Sequence, residues 1–258
     1  MKIQLLSDLH IEFWPTSAKF HLAMFDSFQT DADVLVLAGD INVGRANTLS
    51  SLKEFAKRYK HVIYVMGNHE EYGQDFGAYM DLEKFYDKLP ENVNFLDFED
   101  FVILDKVSFF GSCLYTNFGN DPLAENMARY GINDFQRISG SSTRGYAAEY
   151  NKAIETIEDC YNVASDIEYK KVIVTHFLPA MECISERFRT ADNLVFNKYF
   201  ANNLGNYIAE LKDTTWLFGH THDSIDMFIG DTRMLCNPMG YFGHEMNPNF
   251  NSKLVFNV

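Results

Sequence analysis

The amino-acid sequence predicts an α/β fold, or an α+β fold if its sheets are mixed, and two observations support this prediction. Short runs rich in Val, Ile, Leu and Phe alternate with longer stretches in which apolar residues recur every three or four positions. Several short runs are continuously apolar, as strands buried on both faces must be. With 258 residues, 47% of them hydrophobic, the chain can bury a full core, and we expect one domain over residues 1–258.

Ten segments are predicted as strands and four as helices. The strands are residues 3–6, 34–38, 62–66, 101–104, 107–111, 172–175, 215–218, 225–229, 234–236 and 254–256. The helices are residues 48–59, 79–89, 147–163 and 198–211. Gly230-Asp231 predicts a hairpin turn between two strands. Residues 116–146 are rich in Asn, Gly, Ser and Asp, and we expect them to form a loop-rich insertion.

Composition limits the partners of the chain. Its 36 acidic and 22 basic residues give a formal charge of -14, so nucleic acid is not an expected partner. Four scattered cysteines without a C-x-x-C pair indicate reduced, mostly buried thiols and a cytoplasmic protein. The apolar run at residues 3–6 is too short for a signal peptide or a membrane span, and no membrane partner is expected. The oligomeric state stays open.

Side chains suited to metal binding follow five of the predicted strands. They are Asp8 and His10, then Asp40, then Asn68, His69 and Glu70, then His176, and finally His220 and His222. Each motif alone also fits a turn or a helix cap. Five of the 8 histidines nevertheless stand at strand ends in the company of carboxylates and a carboxamide, a nitrogen and oxygen set that suits Mn, Fe, Zn or Ni. The pattern favours a two-metal centre that hydrolyses phosphate esters.

The ordered series Asp8-x-His10, Gly39-Asp40, Gly67-Asn68-His69-Glu70, His176 and Gly219-His220-x-His222 resembles the calcineurin-like metallophosphoesterase superfamily over nearly the whole chain. The resemblance implies a β-sandwich of two mixed sheets flanked by helices. It also implies two divalent ions, with manganese as the first candidate, and attack on phosphorus by a hydroxide that bridges them. One ion would be held by Asp8, His10 and His222, the other by Asn68, His176 and His220, and both by Asp40.

The resemblance gives the two residues after Asn68 a different role. His69 would face the phosphate as a general acid that protonates the departing alkoxide. Glu70 would either orient and charge-stabilise the His69 imidazole or cap the helix that follows, and the sequence leaves both alternatives open.

Departures from the superfamily pattern narrow the function. The segment after Asp40 lacks the G-D-x-x-D-R-G signature of serine/threonine protein phosphatases, and Phe177 stands where many phosphodiester-cleaving relatives have a second histidine. We therefore expect a metal-dependent phosphoesterase acting on a small or nucleotide-like phosphate mono- or diester. The alternatives are a nuclease or nucleic-acid phosphodiesterase, a non-catalytic metal-binding scaffold and a protein phosphatase.

Two further segments are candidates for the surroundings of the site. Residues 237–241, N-P-M-G-Y, resemble a loop that lies beside the metals in similar proteins, although a plain turn fits equally well. Residues 133–137 and Arg144 could supply an aromatic wall and a phosphate-binding guanidinium, as a lid over the metals would need.

Overall fold

A computed structural model describes residues 1–97 and 101–258 of the chain. In these residues the strands, in chain order, are β1 (Lys2–Leu6), β2 (Val34–Ala38), β3 (His61–Val65), β4 (Val93–Phe95), β5 (Val102–Leu104), β6 (Val107–Ser112), β7 (Lys170–Thr175), β8 (Thr214–Phe218), β9 (Ile225–Ile229), β10 (Thr232–Cys236), β11 (Gly240–Tyr241), β12 (Glu245–Met246) and β13 (Val255–Asn257). The α-helices are α1 (Ala18–Phe28), α2 (Arg45–Ala56), α3 (Tyr79–Tyr86), α4 (Pro122–Gly131), α5 (Asp134–Arg137), α6 (Thr143–Asp166), α7 (Asn197–Phe200) and α8 (Gly205–Glu210).

The strands form two large mixed sheets and one short ribbon. The first sheet has the order β13-β1-β2-β3-β4, with β1 to β4 parallel and β13 antiparallel at one edge. The second has the order β5-β6-β7-β8-β10-β9, in which only the edge strands β5 and β9 run antiparallel to their neighbours. Strands β11 and β12 pair as a ribbon. The predicted mixed-sheet architecture is therefore confirmed.

The two sheets pack face to face between layers of helices. Because side chains alternate along a strand, Val36 of β2 points into a core shared with Val174 of β7, whereas Leu37 points the opposite way onto α1 and α2. On the outer face of the second sheet, Trp216 of β8 packs against the apolar stripe of α6. Strands β1 to β3 and β7 to β8 are thereby buried on both faces, as their continuous apolar sequences predict.

All ten predicted strands are present, with ends that differ by two residues or fewer. The predicted hairpin is also confirmed, since β9 and β10 pair antiparallel across Gly230-Asp231 with Ile229 opposite Thr232. Helices occur at three predicted places as α2, α3 and α6, while α1, α4 and the short strand β4 were not predicted. Strand positions were predictable because continuous apolar runs mark them.

The prediction of a loop-rich segment over residues 116–146 is wrong for most of its length. Helices α4 and α5 and the first turn of α6 lie there. Asp121 accepts a hydrogen bond from the Leu123 amide at the start of α4, and Pro122 occupies its first helical position. Ser142 likewise caps α6 by accepting from the Gly145 amide. Asp, Pro and Ser, which resemble turn residues in the sequence, begin helices here.

The predicted helix over residues 198–211 is wrong as a single element, because it is broken into α7 and α8. Asn202 lies buried at the break. Its side-chain amide donates to the Tyr115 carbonyl at 3.0 Å, and its backbone amide donates to the Leu178 carbonyl at 2.9 Å. These contacts to other segments take the place of helical hydrogen bonds.

Two observations concern the expectations drawn from composition. All four cysteines are buried, as predicted: Cys113, Cys160, Cys183 and Cys236. Among the helices of the described residues, none has both the length and the apolar character that crossing a membrane requires. The cytoplasmic location stays a prediction.

Gln4 is the polar residue inside the apolar strand β1, and the fold depends on it. Its fully buried carboxamide nitrogen donates to the carbonyls of Phe28 and Ser252, both at 2.8 Å. Its oxygen lies 3.0 Å from the Tyr59 hydroxyl. One side chain thus joins β1 to the end of α1, to the segment after α2 and to the chain before β13. Because β1 ends just before Asp8, these bonds also fix the strand that leads into the site.

We predict that Gln4→Leu lowers the free energy of unfolding by about 2–4 kcal/mol, because it leaves the Phe28 and Ser252 carbonyls without this donor. Tyr59→Phe is the matched control. It removes a single hydroxyl from the same cluster and should cost only about 1 kcal/mol. Urea denaturation of the two variants measures the difference. Equal losses of unfolding free energy would contradict the role given to Gln4.

Candidate metal centre

The structure brings all the predicted metal-binding side chains to one end of the sandwich. Each follows the carboxyl end of β1, β2, β3, β7 or β8. Since the two sheets pack face to face, these strand ends meet. Three groups of side chains have ligand atoms that all lie within 4.8 Å of one another. We call Asp8, His10 and His222 the first triad and Asp40, His176 and His220 the second triad, and the remaining group is His10, Asp40 and His69.

The first triad directs two imidazole nitrogens at the same space. The Nε2 atoms of His10 and His222 are 3.1 Å apart, and His222 Nε2 is 3.5 Å from Asp8 Oδ1. His10 Nδ1 lies 3.1 Å from a Glu12 carboxylate oxygen, which can only accept. Neutral His10 therefore carries its proton on Nδ1 and presents the Nε2 lone pair to the site.

The second triad shows the same arrangement more clearly. His176 Nδ1 donates to the Ala38 carbonyl at 2.9 Å, so that its Nε2 lone pair faces Asn68 Oδ1 at 3.1 Å and Asp40 Oδ1 at 3.5 Å. Asn68 is oriented because its amide nitrogen donates to Asp134 Oδ1 at 2.8 Å. When His176 is neutral, three electron pairs converge on one another, which is unfavourable unless a positive charge, from a proton or a metal ion, lies among them.

His220 supplies an independent test of whether metal ions fit. Its Nε2 atom is buried and has no hydrogen-bond partner among the described residues. Burial and the charge of His176 hold the pKa of His220 well below its usual value, so the ring is neutral with an unused lone pair. Metal coordination would satisfy that atom. The nitrogen and oxygen donors of both triads suit borderline divalent cations, and the residues present therefore fit two such ions.

Asp40 lies between the two triads. Its Oδ1 is 3.5 Å from His176 Nε2, and its Oδ2 is 3.7 Å from His10 Nε2. Burial raises the pKa of Asp40, but the charges of His176 and His69 outweigh burial and hold the pKa well below its usual range. Burial likewise opposes protonation of His176, yet the charge of Asp40 and its hydrogen bond raise the pKa of His176 to about 9. The electric field of the site therefore favours positive charge.

The backbone at these positions is unusual. Five site residues have positive φ angles between 42° and 68°: Asp8, His10, Asp40, His220 and His222. For an L-residue other than glycine this conformation costs about 1–2 kcal/mol. The cost is tolerated because neighbouring loops hold each other, with the Asp8 amide donating to the Gly39 carbonyl at 3.0 Å and the His10 amide to the Asp40 carbonyl at 3.1 Å. Strain of this kind concentrates at functional sites.

Two glycines allow the ligand side chains to approach one another. A Cβ atom on Gly67 would lie 2.1 Å from Asp40 Oδ1. A Cβ atom on Gly39, which has a φ of +82°, would lie 2.4 Å from His176 Nδ1. Any side chain at either position would displace the carboxylate or the imidazole, which explains why glycine precedes both Asp40 and Asn68.

His69 lies beside the triads with a carboxylate behind it. Its Nε2 is 3.9 Å from Asp40 Oδ2, and its Nδ1 is 3.1 Å from Glu12 Oε1. Its ring stacks on Tyr72 with centroids 4.3 Å apart. Burial lowers the pKa of His69, but the charges of Asp40 and Glu12 outweigh burial and raise it overall.

Sequence reasoning did not identify Glu12. One of its oxygens lies 3.1 Å from Nδ1 of both His10 and His69. Burial raises the pKa of Glu12, but these two hydrogen bonds lower it to about 2. The sequence feature that could have identified Glu12 is its position two residues after His10. Glu12 fixes the orientation of both rings.

Glu70 makes contacts that neither of its predicted roles anticipates. Its buried carboxylate accepts backbone hydrogen bonds from Ile41 at 2.7 Å, Gly67 at 2.8 Å and Asp40 at 3.1 Å. The Nδ1 atom of His69 is paired with Glu12 and not with Glu70, and Glu70 lies inside the short 3-10 turn His69–Glu71 rather than capping a helix. It instead joins the loops after β2 and β3 and so positions Asp40 relative to Asn68.

Asp134 is a second residue that sequence reasoning did not single out. Its Oδ1 accepts from the Asn68 amide and from the Tyr72 hydroxyl at 2.9 Å. Its Oδ2 accepts from the hydroxyls of Tyr146 and Tyr199. Four donors on one buried carboxylate connect helices α5, α6 and α7 to the metal centre. In the sequence, only the place of Asp134 within residues 133–137 pointed to the site.

A cavity of about 680 Å³ opens over both triads. Tyr241 lines it, with its ring centre 4.3 Å from that of His10, so residues 237–241 do lie beside the site. Arg137 also lines it. Phe135 instead packs against Tyr146 in the core beneath, and Arg144 is exposed and does not line the cavity.

Comparison with known proteins finds relatives in sequence and in fold. A curated but uncharacterised protein of Acanthamoeba polyphaga mimivirus is 29% identical over 273 residues, which cover 96% of this chain and 94% of that protein. Phosphopantetheinyl hydrolase from Mycobacterium tuberculosis has a similar fold, with a TM-score of 0.72 at 17% identity over 93% of this chain and 89% of its own. A dimetal phosphatase from Danio rerio gives a TM-score of 0.54 at 12% identity over 93% and 87% of the two chains.

The family model of the calcineurin-like phosphoesterases matches residues 1–224, which include every predicted metal-binding residue. The match spans both sheets as far as β8 and the two triads at their shared end. The chain therefore belongs to the calcineurin-like phosphoesterase family and is a phosphoester hydrolase that depends on a dinuclear metal centre.

Proposed function

We propose that the chain hydrolyses small phosphate mono- or diesters with two divalent cations, manganese being the first candidate and iron, zinc and nickel the others. The observation that carries the proposal is the convergence of lone pairs on Asp40, together with the unpartnered Nε2 of His220. The net charge of -14 supports a small substrate rather than nucleic acid.

In this proposal Asp8, His10 and His222 hold one ion, Asn68, His176 and His220 hold the other, and Asp40 contacts both. The assignment follows the two triads and the position of Asp40 between them. When bound, such ions supply an activated water and neutralise charge on the phosphoryl oxygens. The dinuclear centre of the Danio rerio phosphatase, which shares the fold, supports the number of ions.

His69 acts as the general acid. Glu12 accepts from its Nδ1, which leaves Nε2 facing the site to hold and deliver a proton to the departing oxygen. Stacking on Tyr72 restricts the ring to this orientation. Glu12 acts through His69 and His10 and is a positioning residue.

The proposed function is tested by measuring bound metal and hydrolysis together. After dialysis against Mn²⁺, elemental analysis should give two ions per chain, with turnover of p-nitrophenyl phosphate or bis-p-nitrophenyl phosphate that a chelator abolishes.

Asp40→Asn should lower both metal content and turnover, whereas the exposed Asp87→Asn should change neither. Full occupancy and a normal rate in Asp40→Asn, or two bound ions without hydrolysis of any ester, would contradict the proposal.

His69→Asn should retain both ions and lower kcat by about 10²- to 10⁴-fold, because it removes proton donation but no proposed ligand. The loss should be largest for alkyl esters, whose leaving oxygens need a proton, and smallest for p-nitrophenyl esters. Metal analysis and kcat for both ester types are the measurements. If the variant loses metal, His69 is a ligand and the assignment is wrong.

Asp134→Leu should weaken binding of one of the two ions by about 10- to 100-fold, because the Asn68 amide loses the acceptor that fixes its orientation. Tyr146→Phe is the control, since it removes a donor from Asp134 Oδ2 without touching Asn68. Metal titration followed by calorimetry would resolve the two sites. Equal effects of both variants on metal affinity would show a general loss of packing instead.

A further inference from the structure

The cavity extends outward from the metal-binding side chains along apolar side chains. The ring centre of Phe200 lies 5.4 Å from that of His220, and the ring of Phe196 lies 5.5 Å from Phe200. Phe188 also lines the cavity and is 36% exposed. We call Phe188, Phe196 and Phe200 the aromatic wall. These three side chains line the cavity from the second triad outward to the solvent.

Other apolar side chains complete this part of the cavity. They are Ile132, Leu178 and Ile184, which are buried and line the same space. The volume of about 680 Å³ falls in the range of sites that enclose small organic molecules. A phosphate held at the triads would fill only one end, so the apolar part remains for the organic group of the ester.

The charged side chains along the cavity limit the chemical nature of the organic group of the ester. Among the lining residues in the described part of the chain, Arg137 is the one Lys or Arg side chain. Its guanidinium lies 5.5 Å from the centre of the Tyr72 ring. Glu245 lines the same cavity, with its carboxylate 3.7 Å from His222 Nδ1. Arg187, which is not a lining residue, pairs with Glu245 at 3.6 Å and with Asp223 at 2.8 Å. A polyphosphate or a nucleic-acid backbone needs several cationic partners, and Arg137 together with an Arg187 that is already paired with two carboxylates does not provide them.

We propose that the substrate carries a single phosphate esterified to an uncharged organic group with an extended apolar portion, which packs on the aromatic wall. This inference rests on the proposed function and narrows its substrate class. The apolar portion gains affinity by leaving water, and each added methylene that reaches the wall contributes about threefold to fourfold.

The experiment uses two homologous series with the Mn²⁺-loaded protein: n-alkyl phosphates and n-alkyl p-nitrophenyl phosphates, each from ethyl to octyl. Within a series the reacting bond is nearly constant, so chain length changes mainly the apolar contact. In whichever series is turned over, kcat/KM should rise about threefold per methylene until the cavity is filled. Adenosine triphosphate should be hydrolysed less efficiently than the longer esters.

Phe188→Asn should flatten this rise, because a longer chain makes more contact with the wall, so the loss of kcat/KM should be largest for the octyl ester and smallest for the ethyl ester. The ring of Phe188 is partly exposed, so the variant should keep its fold, which thermal unfolding checks. Phe228→Asn is the matched control, because this phenylalanine is 64% exposed on β9 and does not line the cavity. The control should reproduce the parent slope.

The outcomes separate this inference from the function on which it rests. Hydrolysis of p-nitrophenyl phosphate or its diester, combined with no dependence on chain length or with a preference for adenosine triphosphate, would overturn the inference and leave the phosphoesterase function standing. An unchanged slope in Phe188→Asn would show that the wall is not where the chain binds. Failure to hydrolyse any ester with two ions bound would overturn the proposed function itself.

Discussion

The constraint on which this structure depends is the close approach of buried electron pairs around Asp40. Imidazole nitrogens, carboxylate oxygens and one carboxamide oxygen of buried residues lie 3.1 to 3.7 Å apart. Such an arrangement is unfavourable by itself and requires positive charge. The left-handed backbone of Asp8, His10, Asp40, His220 and His222 adds a further cost. The surrounding fold must therefore hold these groups in place.

The two sheets hold the site residues in place because their central strands are tightly packed. Strands β1, β2 and β3 are buried on both faces and end at the same height as β7 and β8 of the opposite sheet. Backbone hydrogen bonds then tie the loops to one another, and Glu70 holds the amides of Asp40, Ile41 and Gly67 with a single carboxylate. Because it binds three backbone amides, Glu70 has a structural role, although its position beside His69 in the sequence suggested a catalytic one.

The comparison of Glu70 with Glu12 shows what sequence could and could not predict. Strand positions and the convergence of candidate ligands were predictable, because apolar runs and strand-end polar residues are local signals. The partner of His69 was not, because Glu12 reaches it from a different loop, 57 positions away in the chain. Helix α4 was missed for a related reason: Asp121 and Pro122 are turn residues by composition and cap residues only in context.

Asp134 connects the metal centre to the part of the chain that surrounds the substrate cavity. Tyr199 donates to Asp134, and its neighbour Phe200 on the same short helix belongs to the aromatic wall. Asp134 in turn orients the Asn68 amide. A shift of α7 that accommodates an organic group at the wall would therefore act on Asn68 through two hydrogen bonds. Because a carboxamide coordinates a metal only through its oxygen, this connection links the fit of the substrate to the geometry of one ion.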